Sequence, residues 1–240
     1  FTMFLGFLVN FIGPLFGIDE PISTIPLLVA LNITVLILFI ASFIVNPLGY
    51  ESPFDLRESV TLFCSLQGLF LLLILLLGII GGFAVQYYTW SLFSVIAMFL
   101  IAIIAALIAF GRFFEEKHYT TALFAIGLTL LLARTLTSPY LANTDIHVEL
   151  FYQKLTEINA YWDPSIYPHT CNTMLSTVIL PTVYSACLGT DVMLVYKVMF
   201  SILFALVPVV LYHAFKGLLK PRFSFFSVFL FISFYAFFLA

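Results

Sequence analysis

Polar residues are so sparse along the chain that the apolar runs between them define the elements. A membrane span needs roughly 17–25 mainly apolar residues. Runs of that kind occur at 1–16, 22–45, 62–83, 91–110, 120–137, 192–215 and 223–240, the first and last being short. A further apolar stretch, 171–188, is interrupted by Pro181 and carries Asn172, Thr173, Ser176, Thr177, Thr182 and Ser185. Isolated Pro is tolerated within spans, so hydropathy alone leaves this stretch undecided.

Between the spans, one segment has a different rhythm. From Asn143-Thr144-Asp145, which offers helix-capping residues, a helix-like run extends to Asn159. Val148, Phe151, Leu155 and Ile158 form its apolar stripe, and Asp145, Glu149, Tyr152 and Thr156 a polar stripe beside it. Such a helix lies along a membrane surface and shows polar groups to a cavity. Residues 160–170, with Trp162, Asp163-Pro164, Tyr167-Pro168 and His169, form a turn-rich link. Gly189 is placed to end the 171–188 helix, and Thr190 or Asp191 to cap the next span.

Composition confirms lipid as the solvent. Apolar residues make up 63% of the 240, charged residues only 9%, and the mean hydropathy is +1.16. Soluble domains are nearer 45–50% apolar and about 25% charged. The net charge of −3 is too small to draw nucleic acid. The missing Met at position 1 and the apolar run stopping at Ala240 point to a piece of a longer protein, and residues 1–17 lack a signal-peptide pattern. Cys171 and Cys187 are ~24 Å apart along a helix, beyond disulfide reach; with Cys64 they are expected to be free thiols.

Lys and Arg in short loops favour the cytoplasmic side. With 171–188 along the outer interface, Arg57, Arg112, Lys117, Lys216, Lys220 and Arg222 fall inside and only Lys154 outside. With 171–188 crossing, the counts are nearly even. The expected architecture is therefore all-α, a polytopic transmembrane helical bundle in the cell membrane. It divides into an N-terminal bundle of about five spans (1–137), an extracytoplasmic loop with two interfacial helices (138–190), and two further spans (191–240). Gln86, Tyr87, Tyr88 and Trp90 then suit an outer aromatic belt, and Gly78, Gly81 and Gly82 mark close packing or a span end.

Candidate chemistry gathers around that loop. Asp145 and Glu149 lie four apart, on one helix face; two acids so close raise one pKa or recruit a cation. This suits a general base or half of a divalent-metal site, and equally a plain solvated acidic face. Arg134 and Lys197 sit near the outer ends of the spans flanking the loop. Ionisable residues in spans are costly and usually functional, although long side chains near an end can snorkel. A phosphate at headgroup depth would satisfy both cations. His147, His169 and His213 have no metal-ligand spacing, and the Asn32-Ile33-Thr34 acceptor sequence falls inside a span.

The run Ser138-Pro139-Tyr140, then Asn143-Thr144-Asp145-Ile146-His147-Val148-Glu149, an amphipathic helix and a second interfacial helix resembles the first outer loop of GT-C fold glycosyltransferases. Residues 136–212 also look like a mostly archaeal family of uncharacterised multi-spanning proteins near that fold. The resemblance covers about a third of the chain, and four or five spans precede the acidic loop, where the fold usually places one. It implies sugar transfer from a polyprenyl-phosphate-linked donor. Asp145 would be the base and Glu149 its partner, with a divalent ion on the pair as candidate cofactor. Arg134, Lys197, Tyr152 and His169 are the candidate substrate-binding residues, and membrane lipid is the implied partner. A transporter and a non-catalytic scaffold are the competing classes.

Overall fold

The computed structural model describes residues 1–45, 61, 64–111, 113–141, 145–234 and 237, without the side chains of Val45 and Asp145. Every regular element among these residues is helical. The α-helices are α1 (Thr2–Ile12), α2 (Thr24–Val45), α3 (Leu66–Tyr88), α4 (Leu92–Ala109), α5 (Tyr119–Thr135), α6 (Asp145–Asn159), α7 (Leu175–Leu188), α8 (Val192–Lys216) and α9 (Pro221–Ser233). Four of them, α2, α3, α4 and α8, are long and apolar enough to cross a membrane. Helix α5, at 17 residues, is ~25 Å long, and α7, at 14 residues, is ~21 Å; the hydrocarbon layer is about 30 Å thick. Arg57 and Arg112 of the charge asymmetry lie outside the described residues.

The chain divides into two compact units, one of Phe1–Ser52 with Leu141–Tyr196, the other of Pro53–Tyr140 with Lys197–Ala240. In the second unit α3 sits between α4 and α5, and its glycines explain how. A methyl group on Gly78 would lie 2.6 Å from Thr129 Cγ2, one on Gly81 2.5 Å from Ser94 Oγ, and one on Gly82 2.8 Å from Leu136 Cβ. Small residues thus let three helix backbones approach, which lipid does not otherwise drive. The glycine pair packs rather than terminating the span, so α3 continues beyond the expected end at 83 through Tyr87 and Tyr88. Its start moves as well, because Ser65 Oγ accepts the Gly68 N–H at 3.0 Å as a cap. Tyr87, Tyr88 and Trp90 line an open apolar hollow with Phe83 and Phe93.

The opposite end of this unit is charged. Lys117 pairs with Glu115, and Lys216 at the end of α8 with Glu116, each at 2.7 Å. The second pair ties segment 113–118 to the α8–α9 turn. Gln67, at the start of α3, donates to the Phe113 carbonyl of the same segment. His118, next to Lys117, is fully buried, and among the described residues neither ring nitrogen has a hydrogen-bond partner. Burial first, and the Lys117 charge second, push its pKa below the usual value.

A depressed histidine pKa means that the folded chain binds fewer protons than the unfolded one. Its stability contribution is complete above the unfolded value, about 6.5, and is lost as pH falls below it. Thermal unfolding of the micelle-bound chain should shift to lower temperature between pH 7 and pH 5.5. The shift should flatten in His118→Leu; an equal pH response in that variant would contradict the buried neutral histidine.

Candidate functional site

Helix α6 carries its faces in an unusual arrangement. Val148, Phe151 and Ile158 of the apolar stripe are exposed, whereas Gln153 and Thr156 are buried with Leu150. The polar side of α6 therefore faces a neighbouring helix, α7, and the apolar side faces outward. Gln153 Nε2 donates to Thr182 Oγ1 at 3.2 Å and to Glu157 Oε2 at 3.3 Å. Ser185 Oγ is 3.1 Å from Glu157 Oε1. The bonds across α6 and α7 fix their register in a way that apolar packing does not.

The link after α6 is pinned rather than loose. Asn10 of α1 donates to the Trp162 carbonyl at 2.9 Å and accepts the Trp162 N–H at 2.8 Å. The Trp162 indole N–H reaches the Asn172 carbonyl at 2.9 Å, and Asn172 Nδ2 donates to the Tyr167 carbonyl at 3.1 Å. Gly6 makes room for this packing: a methyl group there would meet Val183 Cγ2 at 2.6 Å and Ile179 Cγ2 at 2.7 Å. Asp163 Oδ1 takes both the hydroxyl and the N–H of Ser165, which hold its carboxyl below the ordinary range.

The candidate residues take definite places on this frame. Asp145 opens α6, its side chain lying outside the described residues. Glu149, one turn on, is half-buried and within electrostatic range of the Tyr196 hydroxyl, which donates to the Thr177 carbonyl of α7. His147 is exposed. Tyr152 and His169, far apart in sequence, come together: their rings stack with centroids 5.2 Å apart and planes 19° from parallel. His169 Nδ1 accepts the Cys171 N–H at 3.2 Å, so its proton in the neutral form sits on Nε2. Among the described residues no three His, Cys, Asp or Glu converge as metal ligands.

The two cations differ. Lys197 is buried near the start of α8, 8% exposed, and its ammonium donates to the Ser138 carbonyl. Arg134 lies in the last turn of α5, exposed, where a positive charge complements the helix end. The Gln153–Glu157–Thr182–Ser185 network, buried but for Glu157, and the Asn10 clasp went unrecognised in the sequence. Its one signal was a spacing of four from Glu149 through Gln153 to Glu157. Comparison of the chain with protein-family models, with curated proteins and with solved structures returns no match.

Replacing Asn10 tests the pinning. Asn10→Leu keeps the volume but strands the Trp162 N–H and carbonyl, each costing about 1–3 kcal/mol when buried without a partner. The variant should unfold at lower temperature and be cut faster by protease within 160–174. Unchanged cleavage would show that the link is held by other means.

Proposed function

We propose that the chain belongs to a membrane glycosyltransferase that moves a sugar from a polyprenyl-phosphate-linked donor to an acceptor on the outer face, with inversion. The supporting observation is the grouping on and beside α6: Glu149, the adjoining Tyr152, and His169 stacked on Tyr152. An ordered acidic helix beside a prearranged ring pair suits a polar substrate with flat apolar faces, such as a pyranose. Lys197 adds a second argument, because a buried cation in an apolar helix is rarely without function.

The chemistry needs few parts. Asp145 takes the proton from the acceptor hydroxyl as that oxygen forms the new glycosidic bond. The bond from the anomeric carbon to the donor phosphate breaks in the same displacement, and the phosphate leaves as an anion. Cationic groups stabilise that charge without a general acid, the role proposed for Arg134 and Lys197. In this reading 138–190 lies outside the membrane, with α6 and α7 along the outer interface of a polytopic bundle.

Orientation is testable by itself. Cys171 and Cys187 should react in intact cells with an impermeant thiol reagent, whereas a cysteine replacing Gly217 should not. Labelling at 217 from outside would reverse the topology.

The assignment of roles is tested in the intact protein. Asp145→Asn should lower sugar transfer by roughly 10²–10⁴-fold, the usual cost of losing a placed base, while donor binding persists. Lys197→Ala and Arg134→Ala should each weaken polyprenyl-phosphate binding about ten- to a hundredfold, and Arg134→Lys should rescue poorly for want of the planar fork. Wild-type turnover in Asp145→Asn would remove the catalytic assignment, and unchanged lipid binding in both alanine variants would remove the phosphate site.

A further inference from the structure

The polar network between α6 and α7 holds more acceptors than donors. Ser185 Oγ has one proton for two acceptors, Glu157 Oε1 at 3.1 Å and the Thr190 carbonyl at 2.8 Å. The Thr182 hydroxyl is committed to the Val178 carbonyl at 2.7 Å. Gln153 Oε1 is fully buried and receives no hydrogen bond from the described residues.

The surrounding field is also negative. Glu157 lies in the last turn of α6, which carries no basic residue. It bonds to Ser185 in the last turn of α7, where Gly189 closes the helix in the left-handed conformation at φ +62°. Two helix C-termini, each with partial negative charge, thus converge on one carboxylate. Lys154, one turn earlier on α6, is exposed and makes no ion pair among the described residues.

Such a site favours a positive occupant. We propose that Glu157, Gln153, Thr182, Ser185 and the Thr190 carbonyl form a binding site for a hard monovalent cation of sodium's size. All the candidate ligands are oxygens, which hard cations prefer. The single carboxylate balances one positive charge, so a divalent ion would remain under-compensated.

The spacing fits as well. Oxygens ~2.4 Å from a cation on adjacent corners of its shell are about 3.4 Å apart. The Gln153 amide nitrogen lies 3.2 Å from Thr182 Oγ1 and 3.3 Å from Glu157 Oε2. Turning the carboxamide about its last bond puts Oε1 in that place. The turn exchanges two amide donor bonds for contact of Oε1 with the ion, so the occupant decides which atom faces inward. Glu157 is exposed and gives the ion its entry from solvent. The site then clamps α6 to α7 by charge as well as by hydrogen bonds.

The test uses the full chain in detergent micelles. Thermal unfolding is compared in sodium chloride and choline chloride at equal ionic strength, alongside ²³Na line widths. Sodium should raise the midpoint by roughly 2–6 °C, as expected for a ligand that binds only the folded state, and its resonance should broaden on adding protein. Glu157→Gln should lose both effects, Ser185→Ala should weaken them, and Lys154→Ala should keep them. If Glu157→Gln does not fold, Ser185→Ala and the wild-type line width decide. Equal midpoints in sodium and choline with an unbroadened line, a sodium response that survives Glu157→Gln, or a response to calcium in place of sodium would each overturn the proposal.

Discussion

A backbone in hydrocarbon has no water to bond to, so each peptide group must find its partner within its own helix. From that constraint follow the absence of strands among the described residues and the length of α2, α3, α4 and α8. Lipid is as apolar as leucine, so burying leucine does not bring helices together as it does in water. What remains is close fit and polar bonding, and the two units illustrate one each. Around α3, glycines admit the side chains of Thr129, Ser94 and Leu136. Around α7, Gln153 bonds to Thr182 and Ser185 to Glu157 between helices.

The division explains what was legible in the sequence. Local signals were read well because their cause is local. Gly189 ends α7 in the left-handed conformation, Asp191 Oδ1 caps α8 through the Met193 N–H at 3.0 Å, and α6 ends at Asn159. The glycines of α3 could be read as packing positions, since few other roles exist for them in an apolar helix. Ser65 was harder: a cap just inside an apolar run displaces the helix start without disturbing the hydropathy pattern.

The partners of Asn10 and Gln153 were not legible, because they lie 152 and 29 residues away along the chain. A periodicity argument sees only one helix at a time. It divided α6 into apolar and polar stripes, but not according to which faced α7. Gln153 and Thr156 turn inward, and Val148, Phe151 and Ile158 outward, the reverse of what an apolar stripe does in water. Tyr152 and His169 were each visible as candidates, yet only the pinned link between them produces the stack. For Asp145 and Glu149, spacing on one helix was the whole signal.

The same physics bears on why an acidic helix would be held by polar bonds. Apolar side chains slide past one another at small cost, so an interface made of them defines position loosely. A carboxamide engaged by both a hydroxyl and a carboxylate allows few registers, and each wrong one strands a buried polar group at about 1–3 kcal/mol. Helix α6 carries Glu149 one turn before Gln153 and Tyr152 immediately before it, so fixing Gln153 against Thr182 also fixes those two side chains. Asn10 does the same for the link that carries His169, through two bonds to the backbone of Trp162. The polar groups that contribute least as apolar packing thus determine where the candidate chemistry stands. A site holds its geometry only as well as the residues around it are held, and here hydrogen bonds hold them.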